Sequence, residues 1–235
     1  MCKLCLSCWM VMVLACTPVF AQEGSEAPQE KPHPCIDSIS STPTITMFVV
    51  GTFTAAILSV EEDSGPIRKS LDGPGCSVPL EIGNFYGSGW GVGGMGLLTL
   101  SYGKMSGNQG FEDLGSDLAV SFLVTSALTI SLKYGIDRKR PNGAPYSMPS
   151  GHTSGAFSSV PVIWHHLGWQ TGLAFGSIST LTALARIEDN KHYTSDVVAG
   201  ATLGLVVGRL VIARRNVCDW QVNATPGSLV VSRAF

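Results

Sequence analysis

Uncharged stretches alternate along this chain with short charged ones. The uncharged stretches are Ser38–Val60, Ile82–Gly103, Leu118–Leu132, Thr153–Ala185 and Val197–Gly208. Apolar runs of this length, with no period-2 alternation, read as buried or lipid-facing helices rather than strands. The fourth is long enough for two helices and is interrupted near His165-His166-Leu167-Gly168. The pattern therefore predicts an all-α bundle of about six apolar helices. Gly91, Gly93, Gly94 and Gly96 make the second stretch the weakest helix former. The segment Glu61–Glu81 is charged and carries Pro and Gly, which predicts a surface loop. Cys218–Phe235 alternates around Thr225-Pro226-Gly227 and can form a short β-hairpin.

The ends of the chain add to this picture. Lys3 precedes the largely apolar run Leu4–Val19, and Val19-Phe20-Ala21 has the small-residue pattern of an export cleavage site. The expected divisions are a signal peptide over 1–21, a linker rich in Glu, Pro, Ser and Thr over 22–43, a helical domain over 44–215 and a tail over 216–235. An uncleaved first helix and lipidation at Cys16 are the alternatives for the leader. After cleavage Cys35, Cys76 and Cys218 remain, enough for one disulfide whose pair is not set by the sequence.

Composition narrows the class. Charged residues make up 14% of 235, against about a quarter in a water-soluble domain. Net charge is −2, which gives no basic footprint for nucleic acid. Most apolar stretches are marginal against the roughly 20 residues a bilayer span needs. A membrane-spanning bundle and a soluble or membrane-apposed one in the exported compartment both fit.

Three segments collect polar residues at the ends of apolar helices. The first runs from Lys133 to Arg140-Pro141, the second is Pro149-Ser150-Gly151-His152, and the third runs from Arg186 through His192 to Asp196. Arg forks and a Lys point charge match phosphate oxygens. Ser150-Gly151 before an apolar run reads as a helix start, where free N–H groups attract anions. His192 and Asp196 are four apart, so on a helix they share a face, and the carboxylate can hold one imidazole nitrogen protonated while the other attacks. His152 offers a second imidazole. Taken singly, each has a plainer reading as a cap or solvated side chain. Arg138 and Lys139 read as solvated, and His33, His165 and His166 as linker or helix-end residues.

Together, in order, the segments resemble the type 2 phosphatidic acid phosphatase superfamily, which also holds bacterial class A acid phosphatases and vanadium haloperoxidases. That pattern is Lys-x6-Arg-Pro, Pro-Ser-Gly-His and Ser-Arg-x5-His-x3-Asp, and it is met across residues 117–212. The resemblance implies a phosphomonoester hydrolase with His192 as nucleophile, Asp196 orienting it and His152 as general acid. Lys133, Arg140, Arg186, Ser150 and Gly151 would hold the phosphate, with no metal or cofactor. It implies a phosphate-ester substrate, of lipid type (phosphatidic acid, a prenyl pyrophosphate or lipid A) given the apolar helices. The expected location is membrane-associated or periplasmic, with the site facing the periplasm. The alternatives are a soluble periplasmic acid phosphatase, a vanadate-dependent haloperoxidase and a non-catalytic binding protein. Two departures stand out. Ala185 replaces the family Ser, and the spacer Asn142–Met148 is short, which predicts an open site.

Overall fold

A computed structural model describes residues 42–60, 64–71, 73, 76–215, 220–225 and 228–233. The expected leader, most of the linker, Cys35 and Cys218 lie outside the described residues. The helices are α1 (Thr42–Val60), α2 (Gly65–Leu71), α3 (Ser77–Gly87), α4 (Gly94–Ser106), α5 (Gln109–Ile136), α6 (Gly151–Leu167), α7 (Trp169–Glu188) and α8 (Thr194–Arg215). A π-helical turn, Gly89–Gly93, joins α3 to α4. The C-terminal hairpin forms, with β1 (Trp220–Thr225) antiparallel to β2 (Ser228–Arg233).

The all-α expectation holds, with two corrections to its parts. Glu61–Glu81 is not a loop: it contains α2 and the start of α3. Ile67, Leu71, Cys76 and Leu80 join Leu184 and Ala185 in an apolar cluster. Their four-residue spacings, 67 to 71 and 76 to 80, are helical, but the surrounding charges, Gly and Pro obscured them. Ile82–Gly103 is not one helix either. It is split at Ser88, whose side chain accepts from the Gly91 N–H at the start of the π turn. The break in the fourth stretch falls at Gly168, which has φ 84° and ends α6.

Caps explain the borders of the longest helix. Asn108 caps α5 by accepting from the Phe111 N–H, and Asp137 closes it in the left-handed region at φ 45°. The core between helices is polar for its depth. Ser121 donates to the Ser158 carbonyl at 2.9 Å, Thr129 and Ser154 hydroxyls meet at 2.8 Å, and Tyr86 meets Ser159 at 2.6 Å. Small residues allow this closeness. A Cβ at Gly200, Gly204 or Gly208 of α8 would fall on the carbonyl oxygens of Ser150, Ser154 and Ser158 of α6 respectively. Close backbone approach with hydroxyl bridges is how helices associate where lipid, not water, surrounds them.

The outer face is apolar. Trp90, Leu98 and Met105 are 84%, 74% and 88% exposed, and Phe53, Phe85 and Leu123 are more than half exposed. Each such side chain, left in water, forgoes about 1.5–3 kcal/mol of transfer free energy. Gln109–Ile136 and Thr194–Arg214 are long and apolar enough to cross a bilayer. These observations favour the membrane over the soluble bundle.

Candidate active site

The site is built where α5 ends, α6 and α8 begin, and α7 runs out into the turn 189–193. Asp196, in the first turn of α8, is fully buried and is its organiser. Its Oδ2 accepts from the Ser147 hydroxyl and, at 2.9 Å, from the Tyr193 N–H. Its Oδ1 accepts from Arg138 at 2.9 Å. Its backbone carbonyl accepts from the Ser150 N–H at 3.0 Å, which joins the start of α8 to the start of α6.

His192 is 3% exposed, with Nδ1 3.6 Å from Asp196 Oδ2. That separation lies just beyond hydrogen-bond reach, and among the described residues Nδ1 has no closer partner. Burial holds the His192 pKa below its ordinary value. Asp196 opposes that shift, while Lys133 and Arg140 add to it. His192 is therefore neutral near pH 7, with Nδ1 facing an acceptor.

His152 stands on the first turn of α6. Burial first, then the charges of Arg186, His192, Lys191 and Arg140, pull its pKa down to about 4. Its backbone is close to α3, where a Cβ at Gly87 would sit 3.0 Å from the His152 carbonyl. Ser150 holds the N-cap position of α6 without a side-chain capping bond. Its buried hydroxyl instead accepts from Thr153 at 3.0 Å. Gly151 opens the helix with Lys133 beside it: a Cβ there would lie 3.8 Å from Lys133 Cε.

The cations are fixed by different means. Lys133 Nζ donates to the carbonyls of Tyr146 and Ser147, at 2.6 and 3.3 Å. Arg140 Nε donates to the Pro145 carbonyl at 3.1 Å. The short spacer 142–148 thus supplies the carbonyls and hydroxyl that hold Lys133, Arg140 and Asp196. Arg186 is 6% exposed, and its Nη1 donates to Asn84 Oδ1 at 2.8 Å and Asp189 Oδ2 at 3.0 Å. Its Nε is buried without a partner among the described residues. Ala185, the departure from the family Ser, is fully buried in the apolar cluster with Leu71 and Leu80.

All eight expected site residues converge on this region. The sequence reading missed others. Arg138 is not a solvated cap: besides Asp196 it donates to Ser195 Oγ at 2.7 Å and lies over the Tyr193 ring at 4.3 Å. In a run of three basic residues nothing in the sequence separates it from Lys139, which is exposed. Ser147, Tyr193 and Asp189 carried no signal. Asn84 did carry one, as an amide inside an apolar stretch. His166 also has a carboxylate neighbour, correcting its reading as an isolated helix end: Nε2 is 2.8 Å from Asp117 Oδ2.

The chain is similar to known phosphatases in sequence and in fold. Residues 114–219 match the model of the PAP2 superfamily. The lipid A 1-phosphatase of Porphyromonas gingivalis is 31% identical over 151 residues, 63% of this chain and 31% of its own. The lipid A 4'-phosphatase of Helicobacter pylori is 27% identical over 124 residues, 48% of this chain and 62% of its own. Phosphatidylglycerophosphatase B of Bacillus subtilis is 33% identical over 96 residues, 34% of this chain and 47% of its own. This chain thus spans less than two thirds of the length of each of these relatives. In structure it is similar to the transmembrane PAP2 type phosphatidylglycerolphosphate phosphatase of Bacillus subtilis. The TM-score is 0.63 at 20% identity, over 74% of this chain and 96% of that one. For Aquifex aeolicus LpxE the TM-score is 0.53 at 21% identity, over 63% and 92%.

Proposed function

We propose that the chain belongs to the PAP2 superfamily, whose model residues 114–219 match, and that it is a membrane-embedded phosphatase that cleaves a lipid phosphate through a phosphohistidine at His192. The observation that carries the reading is the enclosure of His192: neutral, turned by Nδ1 toward Asp196, and within the field of Lys133, Arg140 and Arg186. With the proton on Nδ1, the Nε2 lone pair is the nucleophile.

Nε2 attacks phosphorus, and the bond from phosphorus to the leaving oxygen breaks. His152 gives that oxygen a proton. Water then attacks the phosphohistidine, His152 takes the water proton, and inorganic phosphate leaves with His192 restored. Lys133, Arg140, Arg186 and the first N–H groups of α6 bear the charge on the phosphoryl oxygens. Preorganised electrostatics of this kind is usually the largest catalytic contribution.

His152 must be protonated to act, yet before substrate arrives its pKa is about 4. A phosphate dianion offsets the charges of Arg186, Lys191 and Arg140 and so raises it. Substrate binding thereby arms the acid.

The exposed apolar belt supports a lipid substrate, since it holds the site at a fixed depth relative to a bilayer. The names of the relatives point the same way, to lipid A or to phosphatidylglycerophosphate. The site would face the periplasm, in keeping with the expected export signal. Purified protein is assayed against phosphatidic acid, phosphatidylglycerophosphate, a prenyl pyrophosphate, lipid A and p-nitrophenyl phosphate. Faster turnover of a lipid than of p-nitrophenyl phosphate is expected, with an acid-labile phosphoenzyme trapped on His192. Turnover of the soluble ester alone, or release of the protein from membranes by salt without detergent, would overturn the lipid and membrane parts.

A further inference from the structure

We propose that Asn84 and Asp189 are positioning residues that aim the guanidinium of Arg186 at the substrate phosphate. The inference rests on the phosphatase reading and names a part of that site contributed by α3, outside residues 114–219 that match the family.

The three side chains close a ring. Arg186 Nη1 donates to Asn84 Oδ1 at 2.8 Å and to Asp189 Oδ2 at 3.0 Å, and Asn84 Nδ2 donates to the same Asp189 oxygen at 3.2 Å. The amide has only one sensible orientation: flipped, its NH2 would face the guanidinium and its oxygen the carboxylate. Lys191 Nζ adds a fourth member, 3.0 Å from Asp189 Oδ2. One end of the guanidinium is thereby committed to the protein. The Nε edge is not: Nε is buried with no partner among the described residues. A buried N–H left unpaired is costly, and a phosphate oxygen is the acceptor an Arg fork fits best.

Helix packing sets this geometry. Thr182 of α7 donates to the Gly83 carbonyl at 2.6 Å, and a Cβ at Gly83 would run into the backbone of Leu181 and Thr182. A Cβ at Gly87, one turn on, would meet Thr182 and the backbone of His152. Asn84 lies between these two close approaches, so its amide is held against Arg186 by backbone contacts rather than by a mobile loop.

The test is a double-mutant cycle on the detergent-purified full chain, with kcat/KM on p-nitrophenyl phosphate and inhibition by inorganic phosphate as readouts. Asn84→Ala is expected to lower kcat/KM roughly tenfold and to weaken phosphate inhibition by a similar factor, as loss of one charge-assisted hydrogen bond would. Arg186→Ala loses more, and the double variant is no worse than Arg186→Ala alone, because Asn84 acts through Arg186. Additive losses, or full activity of Asn84→Ala beside a crippled Arg186→Ala, would overturn the inference while leaving the phosphatase reading intact. A wild-type chain inert on every substrate would overturn both. If Asn84→Ala does not fold, the same cycle with Asp189→Asn decides the matter on the same criteria.

Discussion

Two histidine–carboxylate pairs sit toward opposite ends of α6. His166 and Asp117 meet at 2.8 Å, while His192 and Asp196, beside the start of the helix, stand 3.6 Å apart. Fifteen residues separate Gly151 from His166, about 22 Å of helix. By distance alone the first pair is the better one. Both pairs have a second histidine nearby, His165 against His166 and His152 near His192, but only the second pair lies among Lys133, Arg140 and Arg186. On the proposed mechanism, chemistry is set by the field and the neighbours, not by how closely an imidazole touches a carboxylate.

Substitution at the two histidines gives the largest contrast. His192→Ala should abolish phosphate release and phosphoenzyme formation in a protein that stays folded, and His166→Ala should keep kcat. The latter leaves Asp117 one partner short, for a stability loss of roughly 1–3 kcal/mol. Equal kcat losses in steady-state assays would erase the distinction.

Next in size, Arg186→Ala should cost about 100- to 1,000-fold in kcat, the range for removing one donor from a developing anion. A change in KM alone would mean the guanidinium binds substrate without favouring the transition state.

Arg138→Ala should act more gently. It takes a donor from Asp196 and from Ser195 and should lower kcat with KM little changed. Loss of the buried hydrogen bonds also destabilises the fold, by roughly 1–3 kcal/mol, read as a lower midpoint in thermal unfolding.

The smallest effects concern pH. His152, with its pKa drawn from 6.5 to about 4, and His192, also lowered, are neutral in the folded protein where the unfolded chain would be charged. Their contribution to stability is full above pH 6.5 and is lost as pH falls from there toward 4. Thermal unfolding across that window should show the decline, and saturating phosphate should blunt it. The alkaline limb of kcat should lie at higher pH than that of kcat/KM, because the first reports the loaded site and the second the empty one. Coincident limbs would mean that substrate does not arm His152.

The ordered motif made Lys133, Arg140, Ser150, Gly151, His152, Arg186, His192 and Asp196 legible in the sequence, because spacing within each segment is local. The break at Gly168 and the hairpin were legible for the same reason. Arg138 was not, and Asn84 showed only as an amide in an apolar stretch, since each acquires its role from a partner far along the chain. Arg138 reaches Asp196 across 58 residues, and Asn84 reaches Arg186 across 102. Helix α2 and the start of α3 escaped because their apolar spacing is short and set among charges. It becomes decisive only when α7 offers Leu184 and Ala185 to cover.

The glycines of α8 and the serines of α6 have one more consequence. Both stripes repeat every fourth residue, so sliding one helix past the other by four residues, about 6 Å, would bring glycines opposite serines again. The stripe by itself does not fix the register. Asp196 breaks the degeneracy, through its carbonyl to Ser150 and its carboxylate to Ser147 and Arg138. The residue assigned to orient the proposed nucleophile is therefore also, through its backbone carbonyl, the tie that joins the starts of the two helices.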